Sequence, residues 1–282
     1  MARVAVVGSY GVGLTFDMER APERGETLVG SSFRHDHGGK GSNQAIGAAR
    51  LDAEVSLLTA VGLDAFGEGA LELWAEEGVD ASHVVRSPLP TMCAAILVEA
   101  SGDNRIVMVP GALSALEPDH VDSFTARIEG ADVLLVQLEI PVESALRALE
   151  IARACGVRAI LNPAPAPPRP LAARADYLTP NETERTAVAG ARGTVVVTLG
   201  DRGARLGDDH VPAFPARVAD STGAGDAFNA AFAVALAEGR GERDAVRWGC
   251  AAGAHMVEHH GVIPGLPTRA EVERRLATLT AA

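Results

Sequence analysis

The segment Asp220-Ser221-Thr222-Gly223-Ala224-Gly225-Asp226-Ala227-Phe228-Asn229 holds the most suggestive spacing in the chain. Its small residues let a ligand approach the backbone, and a helix is expected to begin inside the glycine run. The first N–H groups of such a helix lack intrahelical acceptors and sit at the positive end of its dipole. They can hold a developing phosphoryl charge without a lysine. Asp226 then falls in the first turn, where it can take a proton from a hydroxyl. Taken alone, the segment also fits a capped helix with an acidic first turn.

Three further segments carry chemistry of the same kind. His37-Gly38-Gly39-Lys40-Gly41-Ser42-Asn43-Gln44 is not a P-loop, because Lys40 is followed by Gly41 and no strand closely precedes it. Its glycines suit close backbone approach to a polyhydroxylated ligand, and Asn43 offers both a donor and an acceptor; a turn before a helix reads equally well. In Thr179-Pro180-Asn181-Glu182-Thr183-Glu184, Asn181 and Glu184 share one face of a helical turn. They form either an ordinary capped start or a carboxylate that orients magnesium-bound water. Thr198-Leu199-Gly200-Asp201-Arg202-Gly203 ends an apolar strand in a glycine loop, at the edge where parallel sheets bind ligands, or else makes a hairpin turn.

The elements that must position these segments alternate. Strands are expected at Val4–Val7, 54–59, 91–98, 105–109, 133–138, 158–162, 177–179 and 194–199, and helices at 42–49, 65–77, 142–154, 224–237, 245–255 and 269–279. Such alternation implies an α/β fold with a mostly parallel sheet covered on both faces. Extended segments at 14–16 and 26–29, with the 91–109 hairpin, fall outside it and are assigned to a small β lobe over the sheet's carboxyl edge. No glycine pattern of a dinucleotide fingerprint, no further ligands beside His35/His37 or His259/His260 for a zinc, and no Gly-x-Ser-x-Gly elbow are found.

The 282 residues carry a net charge of −12, which disfavours nucleic-acid binding and requires any anionic ligand to be attracted locally. Three scattered cysteines, no signal-peptide pattern and no long apolar run lead to the expectation of a reduced, soluble, cytoplasmic protein without membrane contact.

Taken in order, the segments resemble the ribokinase-like (PfkB-type) carbohydrate kinase family. The resemblance runs from Val6-Val7-Gly8-Ser9 through Arg24-Gly25-Glu26-Thr27, Gly38–Asn43, Gln137-Leu138-Glu139, Asn162–Ala166, Thr179–Glu182 and Thr198–Gly200 to Gly223–Asp226, Gly261 and Pro264. It implies one kinase domain over 1–282, Rossmann-like, with a β-sheet lid formed by about 11–36 and 90–110. It also implies that Gly39, Lys40, Asn43 and Glu139 contact a sugar. Asn181, Glu184, Thr198, Gly200, Asp201, Gly203 and Gly225 would face ATP, with Glu184 reaching magnesium through water. Gly223, Ala224 and Gly225 would form an anion hole beside the base Asp226, and Asp220 and Thr222 would hold potassium. The implied activity is transfer of the ATP γ-phosphoryl group to a sugar hydroxymethyl group, by a homodimer.

Two departures bear on the substrate. Gly11 and Gly13 stand where ribokinases place an Asn and a sugar-binding Asp, which opens space and removes a charge-assisted partner. A bulkier sugar, or a nucleoside stacked on Tyr10, Phe16 or Phe33, therefore enters as an alternative to ribose, as does a non-catalytic binding protein on the same scaffold. Asp17 lies on the same strand face as Gly13 and is a candidate replacement, although a solvated charge at the lid's edge is the plainer reading. The stretch from Glu184 to Thr194 is short, so a helix beside the nucleotide is expected to be missing.

Overall fold

The computed structural model describes residues 1–278. The chain runs β1 (Arg3–Val7), β2 (Gly11–Met18), β3 (Ser32–Gly38), α1 (Lys40–Arg50), β4 (Glu54–Leu58), β5 (Ala60–Gly62), α2 (Ala65–Glu76), β6 (Val79–Asp80), β7 (Val85–Ser87), β8 (Cys93–Glu99) and β9 (Asn104–Val109). It continues through α3 (Pro118–Ser123), α4 (Thr125–Glu129), β10 (Val133–Gln137), α5 (Val142–Cys155), β11 (Arg158–Asn162), β12 (Arg174–Leu178), β13 (Arg192–Thr198), β14 (Ala204–Leu206) and β15 (Asp209–Val211). The last elements are α6 (Ala224–Ala237), α7 (Glu242–Met256), α8 (Val262–Gly265) and α9 (Arg269–Thr278).

Nine strands form the central sheet in the order β15-β14-β13-β12-β11-β10-β1-β4-β6. It is parallel from β13 to β6, and β14 and β15 add antiparallel to one edge. The alternation of side chains across a strand explains why both faces need covering. Val4, Val6, Val133 and Leu135 enter one core with α1, α2, α6 and α7, whereas Ala5, Val7, Leu134 and Val136 enter another with α3, α4 and α5. Helix α6 is nearly all apolar and buried, as a helix enclosed between sheet and neighbouring helices must be. Among the described residues no helix is long and apolar enough to cross a membrane.

The lid is a separate sheet in the order β3-β2-β8-β9. Its third-position strand and hairpin partner match expectation, but Glu26–Val29 is irregular and the strand lies instead at Ser32–Gly38. The Glu26 carboxylate accepts from Arg20 and from Glu23 N–H, closing a turn, and Val29 is fully exposed. The polar run Phe33-Arg34-His35-Asp36-His37 shows no apolar alternation, so the strand gave no periodic signal. Helix α1 begins at Lys40 rather than at Ser42 or Asn43, because Gly39 serves as its N-cap with φ near +90°. The expected end of the last helix at Leu279 lies outside the described residues.

Candidate functional site

Strands β1, β10, β11, β12 and β13 run parallel, so their carboxyl ends gather Ser9, Glu139, Asn162, Thr179, Asn181 and Thr198 along one edge. Open α/β sheets bind ligands there. Helix α1 enters this edge flat against the turn after β1. A Cβ on Gly39 would lie 2.5 Å from Tyr10 Cα, and one on Gly41 2.5 Å from the Ser9 nitrogen, so only glycines allow the approach. Glu139 fixes the helix start: its Oε2 accepts from Lys40 N–H at 2.9 Å and from Ser9 Oγ at 2.5 Å. The Lys40 ammonium stands 4.0 Å from Glu139 Oε1.

Lys40 is the only lysine in the chain; the other basic residues are arginines. Burial works against its charge, but the negative charges of Asp226, Glu139 and Glu184 outweigh that penalty and hold its pKa above the ordinary lysine value. An ammonium in this position joins the carboxylates of Asp226, Glu139 and Glu184 electrostatically.

Helix α6 starts at Gly223, in the left-handed region at φ +81°, where a Cβ would meet Val262 Cγ1 at 2.8 Å. Ala224, Gly225 and Asp226 supply its first-turn N–H groups; Ala224 N–H donates to the Ser221 carbonyl at 3.4 Å, and a Cβ on Gly225 would meet nothing within 4 Å, which leaves open space beside that residue. Asp226 is 6% exposed. Asn43 Nδ2 donates to its Oδ2 at 2.9 Å and Gln44 Nε2 to its Oδ1 at 3.0 Å. Desolvation raises its pKa above the ordinary aspartate value, against the opposing pull of Lys40 and the two amides.

Those amides belong to a buried polar relay that sequence reasoning missed. Gln44 Nε2 also reaches Asn162 Oδ1 at 3.2 Å, and Gln44 Oε1 accepts from Gln137 Nε2 at 2.6 Å. Asn162 Nδ2 donates to the Thr179 carbonyl, Thr179 Oγ1 to Asn229 Oδ1, and Asn229 Nδ2 to the Gly225 carbonyl. The relay thus leaves Asp226 and returns to the residue before it. The available signal was the density of amides at strand ends in an otherwise apolar core. Asn43 Oδ1 is buried with no partner, an acceptor suited to a ligand hydroxyl.

The residues expected to face a nucleotide form a second group. An isolated bridge joins Asn181 to Thr198, and Thr198 N–H donates to the Pro180 carbonyl. Asn181 and Glu184 cap each other reciprocally at 2.9 and 2.8 Å, and Arg202 pairs with Glu182 across the two loops. Glu184 Oε1 carries no hydrogen bond among the described residues, so the carboxylate fits a magnesium-bound water. Gly200 and Gly203 have φ near +62° and +93°, and Asp201 is exposed between them. From Glu184 to Val188 there is only a 3₁₀ turn, as the shortness of the segment implied.

Asp220 accepts from Thr222 N–H at 2.9 Å. Burial works against its charge, yet hydrogen bonds from Thr222 and Gly261 keep its pKa below the ordinary value. An ionised carboxylate held on a loop beside the α6 N-terminus fits a monovalent cation. Among the described residues no group of three or more His, Cys, Asp or Glu is placed to hold a metal by itself.

One expectation at the lid needs correction. Gly11 does not open space: a Cβ there would lie 2.1 Å from Met92 Cε, so that methionine already fills it. Of the aromatic candidates for base stacking, Tyr10 is closed off while Phe16 and Phe33 stay exposed. Tyr10 is fully buried and bonded to His37 Nδ1 at 2.6 Å, and Phe16 and Phe33 pack on each other across β2 and β3 at 5.0 Å. Asp17 is bound to Arg34 at 2.9 Å and to Ser32, which leaves it a surface ion pair rather than a replacement for Gly13.

Comparison with known proteins gives the class of this chain, a phosphotransferase acting on small molecules. More particularly, the chain belongs to the pfkB family of carbohydrate kinases, whose pattern matches residues 1–269. It is 38% identical to the ribokinase of Bacillus subtilis, over 98% of this chain and 100% of that one. It is 34% identical to a deoxyribokinase of Salmonella typhi, over 82% and 84% of the two chains. The ribokinase of Arabidopsis thaliana, solved with ribose and ATP, superposes with a TM-score of 0.88 at 30% identity, over 98% of this chain and 99% of that one.

Proposed function

We propose that this protein moves the γ-phosphoryl group of ATP onto the hydroxymethyl group of a small sugar, with Asp226 as general base. The observation that carries the reading is the placement of Asp226: buried, in the first turn of α6, and gripped by amides from the helix that opens with Gly39 and Lys40. Gly39, Lys40, Asn43 and Glu139 hold the sugar, and the orphaned Asn43 Oδ1 accepts from one of its hydroxyls. Asn181, Thr198, Gly200, Asp201 and Gly203 hold ATP, while the N–H groups around Gly223, Ala224 and Gly225 stabilise the transferred phosphoryl charge. Magnesium, reached by Glu184 through water, supplies neutralisation of phosphate charge when bound. Asp220 and Thr222 hold potassium beside the anion hole.

The raised pKa of Asp226 brings the base closer to neutrality, where proton transfer from a hydroxyl is better driven. The chain acts as one cytoplasmic kinase unit over 1–282 with its lid formed by the 11–36 and 90–110 regions. It works as a homodimer through the lid, whose edge strand β9 exposes Ile106, Val107, Met108 and Val109 by half or more of their surface. The test is ADP release with Mg-ATP and potassium across pentoses, hexoses, ketoses and nucleosides, for the wild type and Asp226→Ala. Sugar-dependent release that collapses in the variant supports the kinase. Silence of the wild type across the panel, with sugar still bound, would assign the protein to the non-catalytic reading instead.

A further inference from the structure

The lid has lost a carboxylate at Gly13 and carries another directly across from it. Strands β2 and β3 are antiparallel with Gly13 opposite Asp36 and Gly11 opposite Gly38. Residues directly opposite in such a pair project to the same face of the sheet. The register continues through β8 and β9, placing Ala94 beside Gly13 and Met108 beside Ala94. One lid face therefore bears Gly13, Asp36, Ala94 and Met108.

The opposite face is already occupied near the cleft. Val12 and Leu14 join the core, and His37 bonds Tyr10 and lies close to Gly69 of α2. The Asp36 face is consequently the one turned away from α2. Strand β3 also runs against α8, whose Val262 stands over Gly223 at the mouth of α6, and leads straight into Gly39 and Lys40. Asp36 stands three residues before Gly39, on the strand that leads into the helix whose Asn43 and Gln44 bond Asp226. Its side chain is 53% exposed, and its one ion-pair partner among the described residues is Arg34 at 3.6 Å.

We propose that Asp36 is a specificity-determining residue, accepting hydrogen bonds from sugar hydroxyls in place of the carboxylate absent at Gly13, with Arg34 steadying it. This rests on the sugar-kinase reading above. It moves the hydroxyl-reading charge sideways by one strand spacing, about 5 Å, toward β3. The space at Gly13 stays open to the ligand, since a Cβ there would meet only Ile96 Cδ1 at 3.4 Å and the Asp36 carbonyl at 4.0 Å. Gly13 lies outside the positive-φ glycines, so an aspartate fits there without strain.

The experiment compares wild type, Asp36→Ala, Asp36→Ala/Gly13→Asp and Asp17→Ala. Steady-state ADP release and calorimetric binding are measured with D-ribose and D-fructose, and thermal melts confirm folding. Asp36→Ala is expected to raise the sugar KM and Kd about tenfold, with the loss falling on sugar KM rather than on kcat or on the KM for ATP. Restoring a carboxylate at Gly13 recovers D-ribose binding, and Asp17→Ala, which removes the other partner of Arg34, leaves sugar KM unchanged. An unaltered sugar KM and Kd in Asp36→Ala overturns the inference while leaving the kinase reading intact. Sugar binding that depends on Asp36 without any ADP release would sink the kinase reading and support the inference. Failure of the wild type to bind either sugar overturns the inference.

Discussion

Gln44 is fully buried, and its amide is one of the groups that favour the ionised form of Asp226 against burial. In Gln44→Leu, Asp226 Oδ1 loses the donor now at 3.0 Å, and Gln137 Nε2 loses its acceptor at 2.6 Å. A hydrogen bond to a charged group is worth about 1.5–3 kcal/mol, so its loss favours the protonated carboxyl and raises the Asp226 pKa further. The base must be ionised to accept a proton, so the acid limb of the kcat/KM profile moves to higher pH. The relay breaks in the same step, and the unsatisfied amides cost about 1–3 kcal/mol of stability. The assay is ADP release from pH 5 to 9 with the sugar identified by the panel, alongside urea unfolding. Partial unfolding lowers the amplitude of the profile but does not displace its acid midpoint. An acid limb that stays in place in a folded Gln44→Leu protein refutes the claim that this amide tunes the base.

Three further outcomes follow from the same geometry. Asp226→Asn abolishes turnover yet stabilises the fold at neutral pH. A carboxyl whose folded pKa lies above its unfolded value favours folding only while protonated, and that contribution is lost as pH rises through the folded pKa. Melting temperatures of variant and wild type should therefore diverge at neutral pH and converge below about pH 4, near the unfolded aspartate value; no gain at neutral pH contradicts the argument. Lys40, as the single lysine, is the only side-chain target of an amine-directed reagent. Its labelling should inactivate the enzyme and be slowed by sugar with ATP, and labelled protein that keeps full activity, read by intact mass, contradicts its role. Gly39→Ala forces a side chain into the left-handed region, costing about 1–2 kcal/mol before the clash with Tyr10 Cα at 2.5 Å is counted. Gly38→Ala meets only the Gly11 carbonyl at 3.7 Å and should melt near the wild type, so equal losses in the two variants would place the constraint elsewhere.

Much of this fold was legible because burial on two faces leaves continuous apolar runs, as at residues 133–136, which cannot be mistaken for surface. The strand Ser32–Gly38 was not, because its residues are polar on both faces and mostly exposed, so no periodicity marks it. Short strands such as Val79–Asp80 and Ala204–Leu206 hold too few residues to show a period. The site was legible where glycine spacing and helix starts coincide, at Gly39 and at Gly223. It was illegible where function depends on what stands opposite in another strand: the sequence shows that Gly13 lacks a side chain, and only the register reveals Asp36 across from it.

The same distinction explains how a chain of net charge −12 can bind a polyanion. Its field at long range repels ATP, and screening within about 8 Å at physiological salt makes that repulsion a weak term at contact. Inside the cleft the attractive groups are few and fixed: one lysine whose charge three carboxylates secure, and first-turn N–H groups whose dipole needs no side chain. Asp226 has to lie beside those donors without capping them itself. Asn43 and Gln44 bond both its oxygens from the opposite helix, and its side chain caps none of the α6 N–H groups.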